Sequence, residues 1–226
     1  LAQPRQATAV IAEIKRKSPS AGWIREGYRD DSFDPLMVAH LYESNGASAI
    51  SCLTDTNFFA GAIGFLSRVR EGCSLPILRK DFLIDPWQID EARVAGADAV
   101  LLIAECLPDQ GLLTGLADRA GELGMDVLIE IHDEANLERA ERAVLASPGR
   151  VLGINNRDLA IMRTDLGHSI RLAQRVADPS RLVSESGIKT AADLAQLAEA
   201  GIRTVLVGEH LMRQDDPGAA LGELLG

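Results

Sequence analysis

No apolar run in the 226-residue sequence approaches the roughly 18 residues that a membrane span needs. The opening residues, LAQPRQATAV, likewise carry no long apolar segment behind a basic end. The expectation is a soluble, cytoplasmic chain with no membrane partner. Cysteine is sparse: Cys52, Cys73 and Cys106 are an odd number in apolar surroundings without metal-ligand spacing, and are expected to be buried reduced thiols. No zinc, haem or iron–sulfur role is suggested, and no Ser-His-Asp arrangement is apparent. A basic excess is also lacking, since 23 Lys and Arg face 33 Asp and Glu for a net charge of −10. Nucleic acid and anionic membranes reward a basic face, so neither is an expected partner. Linkers, low-complexity tracts and charged tails are absent, so residues 1–226 are expected to form a single domain.

What is present is a repeated order of elements. Short β-branched runs fall at about 9–15, 47–54, 76–82, 98–104, 126–131, 151–156, 181–186 and 204–209, separated by helical apolar spacing such as Leu36, Val38, Ala39, Leu41 and Tyr42. Four helix-to-strand junctions carry glycine, at Gly46, Gly96, Gly124 and Gly201, where a left-handed residue closes a helix before a tight turn. Asp34-Pro35 and Asp85-Pro86 each put a capping carboxylate before a proline suited to the first helical position. Eight such βα units predict a single-domain (β/α)8 TIM barrel. An open doubly wound sheet is the alternative, disfavoured because no dinucleotide glycine fingerprint follows the first strand. The longest irregular stretch, Ser18–Phe33, falls in the loop after that strand and could be a lid or merely a long surface loop.

The strand ends carry the chemistry. In Leu75-Pro76-Ile77-Leu78-Arg79-Lys80-Asp81-Phe82, alternation puts Lys80 on the face of Leu78 and Phe82, an expensive place for an ammonium. A strand ending before Arg79, with a solvated Arg-Lys-Asp turn, is the simpler alternative for that stretch alone. However, Glu13 and Lys15, Glu130, Asn155 and Glu185 end four other apolar runs in the same way, and five such ends look like one site. Lys80 and Glu130 facing across a barrel mouth suit general acid–base chemistry. Glu13 could hold Lys15 charged, Asn155 could orient a hydroxyl or carbonyl, and Arg157 offers a planar fork for an anion. Lys15, Arg16 and Lys17, with Arg79 and Lys80, concentrate positive charge suited to a small anionic ligand. Gly187 and Gly208, just past the seventh and eighth runs, would let backbone amides approach a phosphate, with Ser18 as a possible hydroxyl donor. His40 and His168 fall on predicted helices, and His132 could line the mouth.

The motifs EIKRKSPSAG, ISCLTDTNFFAG, ILRKDF, VLLIAECL, LIEIHDE, LGINNRDL, VSESGI and VLVGEHLM, in that order, resemble the indole-3-glycerol phosphate synthase family from about Val10 to the C-terminus. The resemblance implies a carbon–carbon lyase of tryptophan biosynthesis that closes the ring of 1-(2-carboxyphenylamino)-1-deoxyribulose 5-phosphate with loss of carbon dioxide and water. It implies no cofactor and no metal and a small anionic phosphate as the binding partner; a monomer or weak homo-oligomer is expected. By the same resemblance Lys80 is the general acid, Glu130 its acid–base partner, and Lys15 the lysine near the anthranilate carboxylate. Glu13, Asn155, Glu185 and Ser186 support them, and Ser18 and Arg157 are anion contacts. Phe82 and Leu101 wall the aromatic pocket, while Gly187, Gly208 and Glu209 belong to phosphate-cradling turns. The chain departs from the family in two ways: His210 stands where many bacterial members have serine, and few residues precede the first strand, so a shortened chain is expected. The competing expectations are the neighbouring pathway's phosphoribosylanthranilate isomerase, which would use a cysteine and an aspartate at strand ends, and an inactive barrel retained as a binding subunit.

Overall fold

Each apolar run forms a strand that pairs in parallel with the next. The structure, a computed structural model, describes residues 8–30, 32–158 and 163–226. Its strands are β1 (Ala9–Ile14), β2 (Ala49–Leu53), β3 (Ile77–Lys80), β4 (Ala99–Ile103), β5 (Asp126–Ile131), β6 (Arg150–Asn155), β7 (Leu182–Glu185) and β8 (Thr204–Val207). They run in chain order around a closed barrel, and β8 returns to β1 through Ala9–Thr204 and Ala12–Val207 pairs. The outer ring comprises α1 (Pro35–Ser44), α2 (Gly64–Arg70), α3 (Pro86–Val94), α4 (Gln110–Glu122), α5 (Leu137–Leu145), α6 (Gly167–Ala173) and α7 (Ala191–Glu199). A short α8 (Glu209–Met212) follows β8, and α9 (Pro217–Leu225) closes against α1. The fold is the (β/α)8 barrel, and closure excludes the open sheet. Among the described residues no helix is long and apolar enough to cross a membrane.

Alternation along the strands sets two cores. Val10, Ala12 and Ile14 of β1, with Val100, Leu102, Val127 and Ile129, face outward and pack under the helices. Leu78, Leu101, Leu128, Val183 and Leu206 face inward and fill the barrel, which is therefore a packed interior rather than a pore. The expected caps form: Asp34 accepts the Leu36 amide at 3.0 Å and Asp85 the Trp87 amide at 2.8 Å. All four junction glycines have positive φ, from 73° at Gly124 to 100° at Gly96, where a Cβ would be strained.

Several expectations require correction. β3 ends at Lys80, so Phe82 lies beyond the ladder and is 40% exposed. Lys15 likewise follows β1. Cys52 and Cys73 are buried, but Cys106 is exposed because it ends the 3-10 turn after β4. The Ser18–Phe33 stretch is more ordered than an irregular loop: Lys17–Ser18 pairs with Gly22–Trp23, and Glu26–Tyr28 is a 3-10 turn. It is also anchored, with Ile24 buried, Tyr28 donating to the Met212 carbonyl at 3.0 Å and Arg25 reaching Asp215 at 2.6 Å.

Arg79 is not part of an anion site. It points out of the barrel, where its guanidinium meets Glu91 at 2.8 Å, the Gln88 carbonyl at 2.8 Å and Asp81 at 3.3 Å. Removing a buried cation strands its partners, so Arg79→Ala is expected to cost about 3 kcal/mol. A lower urea midpoint with an unchanged m-value is the measurement that checks it.

Candidate active site

The C-terminal ends of the strands turn from leucine and valine to charged side chains, and the mouth above them holds a cavity of about 970 Å³. Lys80 lies at its floor with its ammonium 2.8 Å from Glu130 Oε2 and 3.3 Å from Glu185 Oε2. Asn155 Nδ2 donates to Glu130 Oε1 at 3.0 Å, and Lys15 is bonded to Glu13. The five strand ends singled out from the sequence thus meet in one site.

Burial penalises charge on Lys80, Glu130 and Glu185, and their partners decide the outcome. Burial disfavours the Lys80 ammonium, but Glu130 and Glu185 outweigh it and raise its pKa well above the ordinary lysine value. Burial also opposes ionisation of Glu130, yet Lys80, His132 and the Asn155 amide hold its carboxyl below the usual range. Glu185 goes the other way: burial and the Glu130 charge push it up to about 8 despite Lys80. Its Oε1 has no hydrogen-bond partner. Two ammoniums face three carboxylates here, so a proton on Glu185 leaves the cluster neutral.

Two glycines make room for those carboxylates. A Cβ on Gly153 of β6 would stand 2.4 Å from Glu185 Oε1, and one on Gly208 would stand 2.3 Å from Glu13 Oε1. Asn156, which follows β6, fixes the neighbouring turn. Its amide donates to Ser184 Oγ at 2.9 Å and to the Ser186 carbonyl at 3.0 Å, while its oxygen accepts from Ser169 Oγ at 2.8 Å. Ser186, a non-glycine residue at φ 69°, is held in the left-handed region beside Gly187 at φ 87°.

The walls differ in character. On the β2 and β3 side, Phe58, Phe59 and Phe82 form an aromatic cluster with ring centroids 6.3–6.4 Å apart, above Leu101 and Ile103. Asp55 builds that wall by accepting the Phe58 amide at 2.6 Å and the Phe59 amide at 3.2 Å. The far wall is polar and carries Ser18, Ser20, Arg157, Gly187, Lys189, Gly208, Glu209, His210 and Arg213. There Glu209 joins Arg157 at 3.0 Å and Arg213 at 2.9 Å, and these cations keep its pKa low against the effect of burial.

Comparison with known proteins identifies the family. The family profile for indole-3-glycerol phosphate synthase matches residues 1–224. The chain belongs to the indole-3-glycerol phosphate synthase family. The enzyme of that name from Rhodopirellula baltica is 52% identical over 216 residues, covering 96% of this chain and 80% of the relative. That from Polaromonas naphthalenivorans is 48% identical over 218 residues, covering 96% and 79%. A crystal structure of 3-hexulose-6-phosphate synthase superposes with a TM-score of 0.72 at 16% identity, covering 96% of this chain and 97% of that one, a likeness of fold alone. As a family member the chain is a carboxy-lyase of tryptophan biosynthesis that binds a phosphorylated small molecule.

Every site residue named from the sequence lines the cavity, and His132 lines it with them. Of the basic residues expected to attract an anion, Arg16 is diverted, donating to the Tyr28 carbonyl at 2.6 Å and sitting 5.2 Å from the Phe33 ring. Lys17 is drawn to the Asn57 carbonyl at 3.4 Å. Phe58 and Phe59 carried no assigned role, although they stand within one of the quoted motifs. His40 and His168 lie on α1 and α6 as expected.

The raised Glu185 pKa has a thermodynamic consequence. Between the ordinary glutamate value of 4.5 and about 8 the folded protein holds a proton that the unfolded chain releases, so this group's stabilisation falls as pH rises through that window. Unfolding free energies of Glu185→Gln and the parent are therefore expected to converge at low pH. The variant should gain relative to the parent up to about pH 8, then run parallel. Urea titrations across that range provide the check.

Proposed function

We propose that Lys80 and Glu130 carry the acid–base chemistry by which this synthase-family barrel converts 1-(2-carboxyphenylamino)-1-deoxyribulose 5-phosphate into indole-3-glycerol phosphate. The observation that carries the proposal is the two-sided mouth: an aromatic wall and a polar, cation-bearing wall face each other across a buried Lys80–Glu130 pair. That arrangement suits a ligand with an aryl ring at one end and a phosphate at the other.

The aryl ring lies against Phe82 and over Leu101, with its carboxylate toward Lys15. Phosphate is held at the far wall by the turns at Gly187 and at Gly208-Glu209, by Ser18 and by Arg157, which exchanges its bond to Glu209 for the ligand. The ketone then rests above Lys80. As the ring carbon attacks, the oxygen becomes alkoxide-like and far more basic than an amine, so even a lysine of raised pKa gives up its proton to it. Ring closure makes the neighbouring carbon electron-poor, and the carboxylate leaves as carbon dioxide while the aromatic ring re-forms. Glu130 serves the later dehydration: the proton it takes from the adjacent carbon passes through Lys80 to the hydroxyl, which leaves as water.

Glu13 keeps Lys15 oriented, Asn155 aims the Glu130 carboxylate, and Glu185 with Ser186 closes the far side of the floor. One barrel supplies every group used, so a monomer or weak homo-oligomer in the cytoplasm is the expected working form. An indole-fluorescence assay tests the assignment. Lys80→Ala and Glu130→Gln are each expected to lose about two or more orders of magnitude in kcat. Retention of parental turnover by either variant would remove that residue from the role.

A further inference from the structure

The reaction takes up a proton that its machinery must replace. The ketone oxygen gains one proton to become a hydroxyl and that hydroxyl gains another to leave as water. Only one is returned, when the adjacent carbon–hydrogen bond breaks. The balance is one proton consumed per turnover, because the substrate carboxylate departs as neutral carbon dioxide. Lys80 and Glu130 sit at the floor of the mouth, beneath the bound substrate, so the proton needs a route that the substrate does not cover.

One side chain touches Glu130 from the rim. His132 Nε2 lies 3.2 Å from Glu130 Oε1, the oxygen turned away from Lys80, and its Nδ1 lies 3.6 Å from Glu105 Oε2. Glu105 comes from the turn after β4, and its other oxygen accepts the His132 amide at 2.9 Å, the Asp133 amide at 3.1 Å and Asn136 Nδ2 at 3.1 Å. Exposure rises in steps along this chain, from 2% for the Glu130 side chain to 16% for His132 and 29% for Glu105. Burial opposes ionisation of Glu105, but His132 and the two amides hold its carboxyl down at about 2, so it stays an anion facing the ring.

We propose that His132, oriented by Glu105, delivers this proton to Glu130. The imidazolium Nε2–H bond breaks as an O–H bond forms on Glu130 Oε1; the carboxylic acid turns that proton toward Lys80, and the O–H bond breaks as an N–H bond forms on the neutral amine, which rests 2.8 Å from the carboxylate. Glu130 returns to a carboxylate, Lys80 to an ammonium, and the neutral imidazole takes its next proton at Nδ1 from solvent at the rim. His132 is thus a relay acting through Glu130, and its assignment rests on the role proposed for that residue.

A relay and a packing contact separate kinetically. In His132→Gln the resident Lys80 proton still supports a first turnover, so product should appear in a burst of about one per site, followed by a kcat about tenfold below the parent's. KM should stay unchanged, and added imidazole should restore the steady-state rate. An unchanged kcat, or burst and steady rates that fall together without response to imidazole, would overturn the relay. If His132→Gln does not fold, Glu105→Gln at the exposed rim carries the same comparison. Glu130→Gln separates the two levels: activity in that variant overturns the role of Glu130, whereas its inactivity beside a parental His132→Gln overturns the relay alone.

Discussion

An ammonium buried at the end of a β-strand must be neutralised where it stands. Lys80 is held between Glu130 and Glu185 because the barrel brings the ends of β3, β5 and β7 to one mouth. Three strands not adjacent in the sheet can only meet in this way if the sheet is closed. The leucine and valine layer beneath fixes their height, and the missing side chains at Gly153 and Gly208 admit the carboxylates of Glu185 and Glu13. The site is thus rigid because its floor is the top of the core.

Neutrality also explains why the two carboxylates flanking Lys80 behave differently. Glu130 is bridged by Lys80 and Asn155 and faces His132, so it stays ionised; Glu185 keeps one unpartnered oxygen in a dry place and favours its proton. Groups of identical chemistry whose pKa values are driven apart by their surroundings are the usual basis for dividing acid and base roles. Around them the loops supply shape. Asp55 projects the two phenylalanines of the aromatic wall, and Asn156 holds the strained Ser186 turn of the polar one.

The positive residues show how little sequence position says about use. Arg79 and Lys80 are neighbours, yet alternation sends Lys80 into the mouth and Arg79 outward to Glu91. Lys15, Arg16 and Lys17 are consecutive, but only Lys15 bonds to a floor carboxylate. Arg16 serves the anchored loop by bonding the Tyr28 carbonyl and lying over aromatic rings. A run of basic residues therefore reports a charged neighbourhood without saying which members face a ligand.

The repeated βα order, the glycine-closed helices and the charged ends of otherwise apolar strands were legible in the residues alone, because each is a local consequence of alternation, capping and the cost of burying charge. Those features determined the barrel and the candidate floor, and the eight quoted motifs determined the family. Tertiary structure decided what depends on partners distant in the chain. That burial and the Glu130 charge raise the Glu185 pKa while Lys80 and Asn155 lower that of Glu130, that Glu209 occupies Arg157 and Arg213, that Cys106 faces solvent and that Glu105 reaches His132 are matters of separation in space. They are set by barrel closure and loop packing, which no window of sequence contains.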